Sequence, residues 1–281
     1  MLGGFGPEAV MTNGSHSTYN ALQTGATMNQ SKIGLSFQGS YTFSKSIDNT
    51  SAILGGPAAN TGVILQTVPQ NPLDMDAERG PSTFDVTHVF TLSVFQALPI
   101  DRVSWLRPLS RKLTSGWQIL NITTLTSGPP FTVFSGIQQT GYGAAGADRP
   151  DQIGTPDLST GRAVREDYFG LGTNNSSFFS IPIGVPGGTG PNSGRFGTLG
   201  RSSFRGPAYH NFDFSLIKDT SFGSRGKNEL CILQFRAELF NIFNIVNFGL
   251  PNNVVSGSGF GIINKTAGTS RQIQFSLKLI Y

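Results

Sequence analysis

The sequence predicts an all-β fold: a fragment of an antiparallel transmembrane β-barrel with about seven long strands, short periplasmic turns and long extracellular loops. Three observations predict it: the composition, a period-two alternation of apolar and polar residues, and the lengths of the connections. The 281 residues include 36 glycines, 16 prolines and 22 phenylalanines, and only 13% are charged, against roughly 25% in ordinary soluble domains. No apolar run approaches the ~18 residues that a membrane-spanning helix needs. The composition therefore favours β-structure with long loops.

The alternation is clearest in two segments, Lys32 to Lys45 and Arg271 to Tyr281. Apolar residues fall on odd positions and polar residues mostly on even ones, which is typical of a strand with one apolar face. In the first segment the predicted faces are Ile33, Leu35, Phe37, Tyr41 and Phe43 on one side, and Ser36, Gln38, Ser40 and Thr42 on the other. In the second they are Ile273, Phe275, Leu277 and Leu279 on one side, and Gln272, Gln274 and Ser276 on the other.

Five further segments are predicted as strands of the same sheet: residues 18–28, 84–97, 114–127, 208–218 and 229–241. The segment 114–127 is mixed on both faces, whereas the others alternate at least in part. At ~10–14 residues, these strands are about twice as long as those of soluble sheets.

The predicted connections alternate strictly between short and long. The short ones lie near Asn29–Ser31, Pro99–Leu113 and Thr220–Asn228, and the long ones at Ser46–Thr83, Gly128–Pro207 and Ile242–Thr269. This alternation places all long loops at one end of the sheet. Transmembrane barrels have this arrangement, with short periplasmic turns and long extracellular loops.

A spanning sheet must pair its strands and close, because lipid cannot satisfy backbone N–H and C=O groups. Its polar face then lines a wet lumen. Aromatic residues near strand ends suit the two membrane–water interfaces. We expect Trp117 and Tyr281 at the periplasmic interface, and Tyr41 and Tyr209 at the outer one.

Several classes of protein are disfavoured by charge and cysteine usage. The net charge is +4, but the basic residues are scattered, so we expect no nucleic-acid partner. Cys231 is the single cysteine, which excludes an internal disulfide. The stretch from Met1 to Glu8 has neither the basic nor the apolar region of a signal peptide.

No catalytic or metal-binding motif stands out. Asp74, Asp76 and Glu78 form an alternating acidic run near Asp85, but the spacing of a calcium loop is absent, so a solvated loop is favoured. The three histidines, His16, His88 and His210, lack metal-ligand spacing. We find no set of nucleophile, base and orienting residue, and therefore expect neither enzymatic activity nor a cofactor.

Three charged residues on predicted strands are candidate lumen-facing groups. Arg236 and Glu238 share the polar face of one strand, and Asp213 lies on the preceding strand. An ion pair that contacts a plug or a neighbouring strand is favoured over a substrate path, because barrel lumens are polar by default. Asp213 is expected as a partner for Arg236.

Several ordered runs resemble one family. They include Ser40-Tyr41-Thr42-Phe43-Ser44-Lys45-Ser46-Ile47-Asp48-Asn49, Glu78-Arg79-Gly80-Pro81-Ser82, Gly116-Trp117-Gln118, Gly194-Arg195-Phe196-Gly197-Thr198-Leu199-Gly200-Arg201 and Phe235-Arg236-Ala237-Glu238-Leu239-Phe240-Asn241-Ile242-Phe243-Asn244. Each run is weak alone, and together they cover most of the chain in the family's order. In these runs the chain resembles the C-terminal part of the barrel of TonB-dependent outer-membrane transporters. It is most similar to the Oar-like group, whose members carry an N-terminal carboxypeptidase-regulatory-like domain.

The resemblance implies that residues 1–17 are an incomplete leading segment and that residues 18–281 are the C-terminal portion of a receptor-like barrel. Transporters of this kind are 22-stranded barrels whose lumen is filled by an N-terminal plug domain. The expectation is thus a truncated or split gene product whose parent imports an unknown solute. The implied location is the outer membrane. The implied partners are outer-membrane lipid, the barrel assembly machinery, the missing plug and barrel portion and, through that portion, the energy-transducing TonB complex.

The C-terminal strand resembles the signal by which the assembly machinery recognises the last strand of a barrel. Its residues are Ile273, Phe275, Leu277, Leu279 and Tyr281. A strand with a free edge and a terminal aromatic could pair with the machinery by β-augmentation; alternatively, Tyr281 is only an interface anchor.

Two other functions remain open at this point. One is a non-transporting outer-membrane surface protein of the adhesin type. The other is a soluble all-β binding module.

Overall fold

A computed structural model of the chain describes residues 13–30, 32–51, 69–106, 108–137, 139–140, 148–156, 158, 165–170, 177–182, 194–225 and 228–281. Seven long strands form its main sheet. They are β1 (Ser17–Gln30), β2 (Leu35–Asp48), β3 (His88–Leu98), β4 (Trp117–Thr126), β5 (Tyr209–Arg225), β6 (Asn228–Phe240) and β7 (Gln272–Ile280). Every strand pairs antiparallel with the next one in the chain. The all-β antiparallel prediction is therefore confirmed.

The sheet is open in the part of the chain that the structure describes, because β1 and β7 each pair on one side only. Five two-residue strands accompany the sheet at Gly80–Pro81, Pro130–Phe131, Asp151–Gln152, Phe179–Ser180 and Phe204–Arg205. The helical elements among the described residues are α1 (Arg111–Thr114) and two 3-10 turns, Ile100–Arg102 and Ser104–Leu106. Within the described ranges, none of these helices is long and apolar enough to cross a membrane.

From β2 to β7 the registers place most apolar residues on one face of the sheet, whereas β1 is largely polar on that face. Phe37 pairs with Val94, and further along the sheet Phe235 pairs with Leu277. The opposite face is polar at Ser40, whose Oγ lies 2.7 Å from the Oγ1 of Thr91. Because side chains alternate along a strand, the predicted division of faces is confirmed for β2 and β7. Ile33 is an exception, since it lies in the turn before β2.

The connections follow the predicted alternation. Short connections, residues 31–34, 99–116 and 226–227 by the strand limits, join neighbouring strands at one end of the sheet, called here the turn end. Three long connections lie at the opposite, loop end: loop A (residues 49–87), loop B (127–208) and loop C (241–271).

Two strand limits differ from the predictions by four residues or more. The segment 84–87 precedes β3 in a turn, where the backbone N–H of Asp85 donates to the carbonyl oxygen of Ser82 at 2.9 Å. The alternation of Phe84 and Val86 therefore does not continue the strand. At the turn end, β5 extends to Arg225, because its pairing with β6 continues to the pair of Arg225 with Asn228.

The turn 99–116 depends on a glycine. Gly116 has φ +75°, which side chains rarely tolerate. A Cβ atom there would lie 2.2 Å from the carbonyl oxygen of Asp219. The close approach lets the Asp219 N–H donate to the Gly116 carbonyl at 2.9 Å, so that β4 starts directly beside β5.

The main hydrophobic core of the described residues lies in the loops and not against the sheet. Its members are Phe131, Val133, Tyr168, Phe169, Phe179, Leu199 and Phe204 from loop B, and Val255, Phe260 and Ile263 from loop C. We call the described parts of loops A, B and C together the loop cap.

Candidate functional site

The polar face of the sheet carries a line of hydrogen-bonded side chains near the turn end. Arg236 Nη1 lies 3.6 Å from Glu238 Oε1, and Arg236 Nη2 donates to Gln234 Oε1 at 3.3 Å. Gln234 Nε2 donates to one carboxylate oxygen of Asp219 at 2.9 Å, and Gln118 Nε2 donates to the other at 3.1 Å. The line crosses β4, β5 and β6 and offers both charges and amide groups on one surface.

Asp213 does not take part in this line. Arg236 pairs in register with Ile217, four residues from Asp213, so the expected partnership between Asp213 and Arg236 is wrong. The Asp213 carboxylate instead accepts from the side chain of Asn211 at 2.9 Å and from the backbone N–H of Asn241 at 2.9 Å. Asp213 thus anchors the start of loop C.

The loop cap is built around stacked and edge-on aromatic rings. Phe169 lies at its centre and is 1% exposed. Its ring stacks on Phe260 at a centroid distance of 4.8 Å and meets Phe179 and Phe204 edge-on at 5.6 and 5.5 Å. Such pairs add roughly 0.5–1.5 kcal/mol each beyond their buried area. Because Phe260 belongs to loop C, these contacts join two loops into one body.

Loop A joins this body through a buried ion pair. Arg149 of loop B donates from Nη1 to Glu78 Oε2 at 2.7 Å and from Nη2 to Glu78 Oε1 at 3.0 Å. The side chains are 5% and 1% exposed, respectively. Gln70 ties the same place together: its N–H donates to Glu78 Oε1 at 3.0 Å, and its Oε1 accepts from the Arg149 N–H at 2.6 Å. A paired and hydrogen-bonded geometry of this kind is what buried charges require.

A second buried arginine links loop B to the end of β2. Arg201 forms an ion pair with Asp48, and both side chains are almost fully buried. Its Nε donates to the carbonyl oxygen of Glu78 at 2.8 Å, and its Nη1 donates to Ser51 Oγ at 3.0 Å. This guanidinium therefore binds strand β2 and loop A at once.

A third arginine holds the turn before β3. Arg205 forms an ion pair with the buried carboxylate of Asp85 and donates to the carbonyl oxygen of Gly128 at 3.2 Å. The same carboxylate accepts from the N–H of Ser46 at 2.6 Å. The two-residue strand that contains Arg205 is thereby fixed against the loop ends of β2 and β3.

The cap also has a more exposed ion pair. Arg195 donates to both carboxylate oxygens of Asp151, at 3.0 and 2.5 Å. The hydrogen bonds from the Arg195 side chain lower the pKa of Asp151 below its ordinary value, although partial burial opposes them. The N–H of Thr198 assists by donating to the same carboxylate at 3.0 Å.

The acidic run of loop A divides into two parts. Asp74 and Asp76 are exposed, as a solvated loop predicts. For Glu78 and Asp85 that interpretation is wrong, because both carboxylates are buried against arginines. Among the residues that the structure describes, no group of three or more His, Cys, Asp or Glu side chains could hold a metal ion.

Sequence reasoning missed the three cap arginines, Arg149, Arg201 and Arg205. A signal for a folded cap was present, however. Residues 127–208 contain seven phenylalanines, which is unusual for a solvated loop, because large aromatic residues gain most from burial.

Two of the predicted interface aromatics lie on the apolar face of the sheet, and a third does not. Trp117 lies on the apolar face at the turn end, and Tyr41 lies on the apolar face with its hydroxyl 2.8 Å from His88 Nδ1. Tyr209 pairs with Thr126, and both positions belong to the polar face of the sheet. Its assignment to the outer belt is therefore wrong, because the apolar positions Phe212 and Phe214 fix the parity of β5.

The C-terminal strand presents its apolar residues on the exposed apolar face. Phe275 and Leu277 are each 68% exposed, and the Phe275 ring stacks on Phe235 of β6 at 6.2 Å. Ile273 and Leu279 lie on the same face and are also exposed. Tyr281 follows the end of β7 and is 97% exposed.

The chain was compared with protein families, curated proteins and solved structures. A family model described as "Outer membrane beta barrel domain" matches residues 3–274. No curated protein and no solved structure matches the chain.

Proposed function

The chain belongs to the outer membrane beta barrel domain family and is located in the outer membrane, and from this premise we propose that its sheet forms part of the barrel wall of a TonB-dependent transporter. The parent would import an unknown solute, with energy supplied by the TonB complex of the inner membrane. We propose no enzymatic role. A soluble binding module, one of the two alternatives drawn from the sequence, is not compatible with the outer-membrane location.

The observation that carries this proposal is the open, amphipathic sheet. From β2 to β7 one face of the sheet is mainly apolar, interrupted on β4 by Asn121 and Thr123, while β1 and β7 each lack a partner on one side among the described residues. In lipid, unpaired backbone groups cost several kcal/mol each, so both edges need further strands. A barrel larger than seven strands, with other strands completing the wall, satisfies them.

In this proposal the polar face lines the lumen. Arg236, Glu238 and Asp213 are then lumen-facing groups, and the line of polar side chains from Glu238 to Gln118 would contact a plug domain. Its amides and charges suit hydrogen bonds to another protein surface better than catalysis. The loop cap would lie on the extracellular side as a rigid unit beside the opening of the barrel.

The strand β7 would also serve assembly. Its free edge and its exposed apolar residues support recognition by the barrel assembly machinery through strand addition. We expect deletion of Tyr281 in the full-length protein to slow membrane assembly sharply while leaving the heat resistance of already folded barrel unchanged. A normal assembly rate with reduced heat resistance would show that Tyr281 is only an interface anchor.

Energy dependence is the direct test of the transport proposal. A strain that lacks this protein is compared with its parent for growth on scarce, large solutes, each with and without a functional TonB complex. If the protein is TonB-dependent, its deletion removes growth on at least one solute and has no additional effect once TonB is absent. Unchanged growth on every solute, or a defect that adds to the loss of TonB, contradicts the proposal.

The second candidate function is a non-transporting surface protein of the adhesin type. The loop cap favours it, because two buried ion pairs, a third pair with a buried carboxylate and an aromatic core make a preformed surface. This candidate predicts loss of surface attachment, independent of TonB, in the same deletion strain.

A further inference from the structure

The turn 99–116 differs from the other two connections at the turn end. It has 18 residues, whereas the connections 31–34 and 226–227 have four and two. Its described residues are also folded: they contain two 3-10 turns and the helix α1, whose first turn is capped by Ser110 Oγ accepting from the Lys112 N–H at 3.3 Å. A barrel needs only a tight turn at this end, so the additional structure calls for a separate explanation.

The helix α1 packs on the apolar side of the sheet. Trp117 and Lys218 pair with each other in register and lie in one row with Phe235 and Leu277, on the apolar face. Lys218 Nζ lies 5.8 Å from the centroid of the Trp117 ring.

Both of these side chains bind the turn. Trp117 Nε1 donates to the carbonyl oxygen of Leu113 at 2.8 Å, and Lys218 Nζ donates to that of Lys112 at 2.9 Å. These bonds hold α1 beside the lipid-facing surface and away from the polar face. In an outer-membrane barrel, that position is the headgroup region of the leaflet at the turn end.

The surface of the turn has the composition of a membrane-interface element. Trp105, Leu109 and Leu113 are 78%, 50% and 63% exposed. Arg111 and Lys112 are exposed beside them. Over residues 99–116 there are four basic residues and one acidic residue. Exposed aromatic and leucine side chains with adjacent cations are typical of segments that lie in the plane of an anionic bilayer surface.

We propose that the turn 99–116 is a binding site for the headgroups of anionic phospholipids in the adjoining leaflet. The Arg111 guanidinium and the Lys112 ammonium donate hydrogen bonds to headgroup phosphate oxygens, while Trp105 and Leu113 enter the boundary between headgroups and acyl chains. Asp101 is the acidic group nearby, and it lies 3.4 Å from Arg111 Nη2. Because Arg111 is 86% exposed, it has further donors free for a lipid. The proposal rests on the outer-membrane location and not on TonB-dependent transport.

The first test measures lipid selectivity. The full-length protein, purified from its native membrane, is reconstituted into vesicles of phosphatidylethanolamine alone or of equal parts phosphatidylethanolamine and phosphatidylglycerol. The lipid that remains bound after detergent extraction is identified by native mass spectrometry. The test variant carries Arg111→Gln and Lys112→Gln. The matched control carries Arg79→Gln and Lys265→Gln, two exposed cations at the loop end.

We expect the wild type and the control to retain phosphatidylglycerol in preference to phosphatidylethanolamine. In the test variant the affinity for phosphatidylglycerol should fall about thirty-fold, on the order of five-fold for each cation removed. Equal retention of the two lipids by the wild type overturns the proposal. An equal loss in the control and the test variant overturns it too, because any surface cation would then serve.

The second test does not depend on removing the cations. Trp117, which holds α1, is left in place, and the contribution of Trp105 is obtained as the difference in fluorescence between the wild type and a Trp105→Phe variant. Both are measured in vesicles that contain brominated phospholipid, on the fraction that resists unfolding in dodecyl sulfate. Strong quenching supports insertion into the headgroup region. Absence of quenching in folded barrel overturns the proposal and makes the turn a contact surface for a periplasmic protein instead.

Discussion

The buried pair of Glu78 and Arg149 gives the sharpest test of how the loop cap is held together. The substitution Arg149→Met removes two donors, at 2.7 and 3.0 Å, from a carboxylate that is 1% exposed. Removing one partner of a buried ion pair leaves the other charge unpaired and lowers the folding stability by about 3–5 kcal/mol. The Gln70 N–H still donates to Glu78 at 3.0 Å, so we expect the lower end, about 3 kcal/mol, which is roughly a hundredfold in the equilibrium for opening the cap.

The assay is amide hydrogen exchange of the folded protein in lipid. The backbone N–H of Arg149 reports opening of this junction directly, because it donates across loops B and A to Gln70 Oε1 at 2.6 Å and is kept in the variant. The variant Arg111→Met, at the exposed pair with Asp101, is the control. It should leave this exchange unchanged, since surface pairs contribute about 0–1 kcal/mol.

A double variant distinguishes two causes of destabilisation, an unpaired buried charge and the loss of side-chain packing. With Glu78→Gln added to Arg149→Met, no charge is buried and the Gln70 N–H keeps an acceptor, so the cost should fall to about 1 kcal/mol. Exchange that rises less than threefold in the single variant would refute the buried pair as described. A double variant no more stable than the single one would show that packing, not charge, was lost.

Three further predictions concern the sheet and the cap. Gly116→Ala should destabilise the β4–β5 junction by at least about 2 kcal/mol, because of its positive φ and the carbonyl 2.2 Å from the new Cβ; heat-modifiability on gels measures this. Phe275→Arg, on the lipid-facing side, should cost about 2–4 kcal/mol, whereas the neighbouring Ser276→Arg should cost little; urea unfolding in lipid compares them, and equal costs would contradict the division of faces. Because Arg195 lowers the folded-state pKa of Asp151, this pair stabilises the cap above the ordinary aspartate pKa and loses its effect as the pH falls through the lowered value; Arg195→Gln should abolish that acid sensitivity in amide exchange around the pair.

The strands were predictable because lipid on one face and water on the other force a period of two. For β2, β6 and β7 the alternation gave limits within a few residues of those observed. It failed before β3, where Phe84 and Val86 imitate the pattern but lie in a turn fixed by the buried carboxylate of Asp85.

The cap and the polar contacts were not predictable by the same reasoning. Loop residues have no period, and Arg149 lies 71 positions from Glu78. The error over Asp213 and Arg236 has a different origin. Parity alone places both residues on the polar face, but only the register shows that they lie four residues apart along the strands.

The long sequence separations within the cap imply an order of events during folding. Arg205 and Arg201 lie 120 and 153 positions from Asp85 and Asp48, whereas β1 and β2 meet through a four-residue turn. Loop closure becomes entropically costlier with length, and distant contacts form slowly. Pairing of the strands β2 to β5 brings the ends of loops A and B together first. It thereby shortens the length of chain that must be closed before these ion pairs can form. A newly inserted barrel therefore passes through a stage in which the strands are paired but the ion pairs of the loop cap have not formed. At this stage proteases can still cleave the loops, although the sheet already resists denaturation.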